Sequence, residues 1–87
     1  MYKIIYTNRF KKAFNNLTNS EQIIFENKMR LFIENVQHPS LRTKKVQGHH
    51  YLFESSVNMS IRIIWYFEND EIVVLIDIGH HDIMKKY

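Results

Sequence analysis

The sequence predicts an α+β domain in the order β-α-α-β-β-β, an antiparallel sheet with a helical hairpin on one face. Two observations carry this reading. Between Phe10 and Val36 the apolar residues recur at the spacing of a helix, and after Ser40 the repeat changes to two, the period of a half-buried strand. A third observation bounds it. With 87 residues, 1 Pro and 2 Gly, the chain has room for a single domain over residues 1–87, without a linker.

Tyr2-Lys3-Ile4-Ile5-Tyr6 is short and rich in β-branched and aromatic residues, and reads as the first strand. Asn8 is the expected N-cap of a first helix with Phe10, Ala13, Phe14 and Leu17 on its apolar face, while Arg9, Lys11 and Lys12 project elsewhere. Thr18-Asn19-Ser20-Glu21 matches a capping box and starts a second helix, whose face is Phe25, Met29, Phe32 and Val36, supported by Ile33. Pro39 sets its expected end, because the residue before a proline avoids helical geometry. The tight connection makes an antiparallel helical hairpin. Tyr51-Leu52-Phe53-Glu54 then reads as a strand and Ser55-Ser56-Val57-Asn58 as a turn. A long strand follows from Ile61 to Phe67, with Ile61, Ile63, Trp65 and Phe67 on one face and Ser60, Arg62, Ile64 and Tyr66 on the other. After the turn residues Asn69-Asp70, an alternating set of Ile72, Val74, Ile76 and Ile78 forms the last strand, ended by Gly79. Residues 40–50 are the least regular, and a strand there could begin at Thr43.

Composition narrows the chemistry. Without cysteine there is no disulfide framework, thiolate metal site or thiol nucleophile, which fits a reducing cytoplasm. An aromatic content of 14% argues against disorder. No apolar run approaches the ~20 residues of a membrane span. The net charge of +3 divides unevenly: residues 1–50 hold nine Lys/Arg against three acids, and residues 51–87 hold three against six. A front half at +6 suits a phosphate-rich or acidic partner, and equally an ordinary solvated surface.

Arg62 interrupts an apolar strand, so its guanidinium either meets an anion or pairs with an acid such as Glu54 or Asp77. Lys44 and Lys45, preceded by Arg42, point to opposite sides of an extended chain, so one of them can share a surface with Arg62. Four of the five histidines form two tandem pairs, His49-His50 and His80-His81, each beside a glycine. Adjacent histidines in extended chain diverge and no zinc spacing is present, so proton transfer suits them better than a metal; loop histidines without a role are the plain alternative. A Ser-His-Asp set using Ser55, Ser56 or Ser60 with His81 and Asp82 lacks a nucleophile elbow. Tyr87, after Lys85-Lys86, is either a packing plug, a disordered end or a ring placed beside a nucleic acid.

Taken together, the residues resemble the RelE/ParE superfamily of small toxins from prokaryotic toxin–antitoxin systems, over essentially the whole chain. The stretches that carry the resemblance are Phe10-Lys11-Lys12-Ala13-Phe14, residues 39–48 from Pro39 to Gly48, Ile61-Arg62-Ile63-Ile64-Trp65-Tyr66, and residues 74–82 from Val74 to Asp82. The resemblance implies a microbial RNase-like fold and, for its RelE branch, cleavage of mRNA in the ribosomal A site by attack of a ribose 2′-OH on the adjacent phosphate, with no metal or other cofactor. It implies Arg62 as the ligand of the scissile phosphate, Lys44 or Lys45 as its cationic partner, and His81 as acid or base where many members have arginine. Tyr87 matches an aromatic that stacks on a message base, and His50 is a weaker candidate base. Asp82 would orient His81 and raise its pKa, or lock it structurally. Arg42, Lys11, Lys12, Lys85 and Lys86 are the expected RNA-binding cations. A cognate antitoxin, the ribosome and mRNA are the implied partners, in the cytoplasm and away from any membrane. The ParE branch shares the fold but inhibits DNA gyrase by binding, and an inert member would bind only its antitoxin.

Overall fold

A computed structural model describes residues 1–87. In chain order it contains β1 (Lys3–Tyr6), α1 (Asn8–Asn15), α2 (Asn19–Glu34), a 3-10 turn (Pro39–Leu41), β2 (Lys44–Lys45), β3 (Phe53–Ser56), β4 (Ile61–Phe67), β5 (Ile72–His80) and a second 3-10 segment (His81–Lys86). The strands form one sheet in the order β1-β5-β4-β3-β2. The α+β class and the helical hairpin stand as expected, but the sheet is mixed: β1 runs parallel to β5, while the other pairs are antiparallel. The two helices lie between β1 and the rest of the sheet in sequence, so the first strand returns alongside the last. No helix is long and apolar enough to cross a membrane.

Side-chain caps fix both helix starts. Thr7, not Asn8, is the N-cap of α1: its hydroxyl accepts the Phe10 N–H at 3.1 Å and donates to the Leu75 carbonyl at 3.0 Å, tying the helix start to β5. The capping box of α2 is present, with the Glu21 N–H donating to the Thr18 hydroxyl at 3.1 Å and the Thr18 N–H to the Glu21 carboxylate at 2.9 Å. Pro39 does not end this helix. The chain leaves helical geometry at Asn35 (φ −157°, ψ 97°), and Pro39 instead begins the 3-10 turn, where a missing N–H costs nothing.

The strand expected from Tyr51 starts at Phe53 and runs through Ser56, so Ser55 and Ser56 are buried strand residues and the turn lies at residues 57–60. Ser55 owes its place to Trp65, which is fully buried and needs a partner for its indole N–H. That N–H donates to Ser55 Oγ at 2.9 Å. Thr43 gives its proton to the Val36 carbonyl at 2.6 Å, which leaves Ser55 as the donor across the 2.7 Å contact to Thr43. Around this polar core the indole stacks on Phe53 at 4.7 Å and meets Phe32 edge-on at 5.3 Å.

Ile61, Ile63 and Trp65 face the helices as expected and pack with Phe10, Phe25, Met29 and Phe32. The expected face of β5 is corrected. Ile64 pairs with Asp77 but Trp65 with Leu75, so Ile76 is an extra residue, a β-bulge. Before it Val73 and Leu75 enter the helix-side core, beyond it the alternation inverts so that Ile78 enters as well, and Ile76 itself packs on the opposite face with Ile64, Val46 and Leu52. The second 3-10 segment covers part of that face through Ile83, Met84 and Tyr87. It lies close because Gly79 has no side chain; a Cβ there would collide with Ile83.

Removing the acceptor of the Trp65 N–H leaves a buried donor unmatched. Ser55→Ala is therefore expected to lower unfolding free energy by about 1–3 kcal/mol, measured by urea denaturation; an unchanged midpoint would contradict the assignment.

Candidate functional site

The face of the sheet without helices carries a groove. Strand register builds its floor: Lys44 pairs with Glu54, Glu54 with Ile64, and Ser56 with Arg62, so these side chains share one side. Lys44 is thus the lysine that shares a surface with Arg62, whereas Lys45 is in register with Phe53. Arg42 joins from the end of the 3-10 turn, held in the left-handed region at φ 50° and ψ 42°. Arg42, Lys44, Glu54, Ser56 and Arg62 line a cavity of about 330 Å³. Through Lys44 and Glu54 it continues into a cavity of about 510 Å³ that reaches Lys45, Gln47, Met84 and Tyr87.

The cations of this groove have no acidic partner, since the ion pairs of the chain are Arg9–Asp77 and His80–Glu21. Neither acid expected beside Arg62 pairs with it. One of its terminal nitrogens donates instead to the carbonyls of Asn58 (2.9 Å), Met59 (3.2 Å) and Ile61 (3.2 Å), which anchors the guanidinium to the β3–β4 turn. Asn58 closes the same turn by accepting the Ser60 and Ile61 N–H groups at 2.8 and 2.7 Å. Such a cation is held in position before any anion arrives, and its remaining donors suit the oxygens of a phosphate. Glu54 carries the sole side-chain carboxylate among the residues lining the two cavities.

At the far end of the groove, the bulge turns Asp77 to the open face, where it is buried. Tyr87 donates its hydroxyl to Asp77 at 2.8 Å, and Arg9 Nε lies 3.4 Å from the same oxygen. The Arg9 guanidinium also stands 5.6 Å from the centre of the Tyr87 ring, and the His49 ring approaches it edge-on at 6.2 Å. Burial, then the hydrogen bond and the negative charge of Asp77, push the Tyr87 phenol up to about 12.

The remaining expected site residues divide. His80 is bonded to Glu21 at 2.7 Å on the helix side; the Thr18 backbone N–H, and then this histidine, hold the Glu21 carboxyl below its usual range. His81 is exposed at the start of the second 3-10 segment, two residues after Gly79, which is paired with Arg62, and it lines neither cavity. His50 is exposed in the loop before β3 and lines neither cavity. No three His, Asp or Glu side chains converge as a metal ligand set. Lys85 and Lys86 are exposed just before Tyr87. Lys11 lines a separate cleft of about 280 Å³ with Tyr6, Phe10, Phe14 and Phe25, and Lys12 is exposed in the last turn of α1.

Sequence reasoning missed Arg9, Glu54 and Asp77 as parts of this site. Glu54 was visible only as a neighbour for Arg62. Asp77 was visible in the same way, but its partners Tyr87 and Arg9 were not, because the apolar run before it gives no sign of a bulge and Arg9 reads as one more exposed helix cation. Because the folded state raises the Tyr87 pKa, its contribution to stability is complete below the ordinary tyrosine value near 10 and is lost as pH rises through about 12. The stability difference between the wild type and Tyr87→Phe is therefore expected to shrink across that window in denaturation series; a difference independent of alkaline pH would contradict the Tyr87–Asp77 bond.

No family model matches the sequence, and no curated protein matches it. Solved structures do. YafQ from E. coli superposes with a TM-score of 0.76 at 15% identity, over 97% of this chain and 98% of that one. The intact E. coli RelBE toxin–antitoxin complex gives a TM-score of 0.72 at 16% identity, over 92% and 96%. The archaeal RelE–RelB complex from Pyrococcus horikoshii gives 0.70 at 16% identity, over 91% and 93%. The helical hairpin and the five-stranded mixed sheet together have the fold of the RelE-like toxins.

Proposed function

We propose that this chain is the toxin of a type II toxin–antitoxin system, a ribosome-dependent endoribonuclease that cuts mRNA in the cytoplasm and is neutralised by a cognate antitoxin. The observation that carries the reading is the convergence of Arg42, Lys44 and Arg62, unpaired with any acid, on one cavity beside a single carboxylate. The likeness to YafQ, and to RelE in its toxin–antitoxin complexes, supports the biological setting.

Attack of a ribose 2′-OH on the adjacent phosphate needs three things: cations where charge builds on the phosphoryl oxygens, an acceptor for the 2′ proton and a donor for the leaving 5′ oxygen. Arg62 and Lys44 supply the first, with Arg42 at the rim. Glu54 is the acceptor, being the carboxylate that both cavities share. His81 is assigned as the donor on the family resemblance, supported by its position two residues beyond the Gly79 partner of Arg62 and by a side chain that changes charge near neutral pH. The 2′ oxygen forms a bond to phosphorus as the bond to the 5′ oxygen breaks, giving a 2′,3′-cyclic phosphate and a free 5′-OH. No metal is required by these roles.

Ribosomes programmed with message, in the presence of the purified chain, test this. Lys44→Ala and Arg62→Ala are each expected to lower cleavage by about 10²–10³-fold, and Glu54→Gln and His81→Ala by about 10²–10⁴-fold. Arg62→Ala also loosens a turn, so Lys44→Ala and Glu54→Gln are the cleaner arms. Full cleavage by all four variants would overturn the site. Intact message together with blocked purified gyrase would establish the binding inhibitor instead.

A further inference from the structure

We propose that Asp77 is a positioning residue: its carboxylate fixes the Tyr87 ring as a wall of the groove and commits the tyrosine hydroxyl to structure, so that Tyr87 acts through its ring and takes no part in proton transfer. The inference rests on the nuclease reading and deepens it by dividing the labour among the groove residues.

A carboxylate at 3% exposure in a strand needs a reason to be there. Asp77 has three partners. Its Oδ1 accepts the Ile78 N–H at 2.9 Å, while its Oδ2 accepts the Tyr87 hydroxyl at 2.8 Å and faces Arg9 Nε at 3.4 Å. None of these partners belongs to the cationic cavity that holds Arg62. Tyr87, in contrast, lines the adjoining cavity together with Lys44 and Glu54. Asp77 therefore reaches the groove only through the residue it holds.

The same geometry sets what Tyr87 can do. Its proton already points at a carboxylate, and a phenolate there would face a second negative charge across 2.8 Å. The hydroxyl is neither free to accept a proton nor able to release one without disrupting its own anchor. The ring remains, fastened at the hydroxyl by Asp77, supported beneath by the cluster of Ile64 and Ile76, and approached by the Arg9 guanidinium. An aromatic wall so fixed suits stacking against a base of the strand whose phosphate lies over Arg62. Arg9, with its side chain 59% exposed, adds a cation beside that base.

A double-mutant cycle on programmed ribosomes, with a titration of the free protein beside it, tests the proposal. Asp77→Asn is expected to lower kcat/KM by on the order of 10- to 100-fold through misplacement of the ring, and to lower it hardly at all in a Tyr87→Ala background. Tyr87→Phe keeps the ring but loses the same anchor, so its loss is expected to match that of Asp77→Asn and to be smaller than that of Tyr87→Ala. Equal losses from Asp77→Asn in both backgrounds, or loss in Tyr87→Phe as severe as in Tyr87→Ala, would overturn the proposal. NMR of the Tyr87 ring carbons needs no substrate: in Asp77→Asn the phenol is expected to ionise at lower pH than in the wild type, and an unchanged titration would overturn the anchoring. A shifted titration with message left uncut by the wild type would uphold the anchor and sink the nuclease reading.

Discussion

One extra residue in β5 decides the character of the open face. Without the bulge at Ile76, strict alternation would send Asp77 into the helix-side core behind Leu75 and place Ile78 on the open face. With it, a buried carboxylate is exchanged for an isoleucine, and the open face gains the residue that holds Tyr87 and Arg9. The consequences continue along the strand. Gly79 falls beside Arg62 on the open face, where its bare backbone accepts Ile83, and His80 turns to the helix side and bonds to Glu21 of the α2 capping box. Bulges commonly sit near functional sites because they re-aim side chains in this way.

The two faces of the sheet are stabilised by different means. The helix side is aromatic and closely packed, with a single internal polar chain from Trp65 through Ser55 and Thr43 to Val36. That chain ties β4 to β3, to the residue before β2 and to the segment that follows α2, so the edge that carries Arg42 and Lys44 is fixed to the core. The open side has a smaller apolar cluster, and its cations Arg42, Lys44 and Arg62 are left without an acidic partner. A row of unpaired cations on a rigid strand surface is poorly suited to stability and well suited to an anion, because their field is present before the anion binds.

Most of the fold was legible in the sequence, since its signals are local. The capping box at Thr18, the helix face of Phe25, Met29 and Phe32, and the alternation of Ile61, Ile63 and Trp65 each announce themselves within a few residues. The errors arose where distant contacts decide. Thr7 displaced Asn8 as a cap because Leu75 accepts its proton, and Ser55 joined a strand because Trp65 requires an acceptor. For the site, the cations Arg42, Lys44 and Arg62 were legible from residue type and from the family resemblance, and their convergence follows from register. Glu54 and Asp77 were not, because their roles depend on which face each occupies and on a bulge that leaves no mark in the run from Ile72 to Ile78.

In the proposed mechanism the groove makes a ribose 2′-OH the nucleophile, using side chains alone. The chemistry of the ends left on cut message tests this most directly, read by mass spectrometry of the fragments from programmed ribosomes. A 2′,3′-cyclic phosphate on the upstream fragment and a 5′-OH on the downstream one is the expected result. A 3′-OH with a 5′-phosphate, or uncut message, would contradict it.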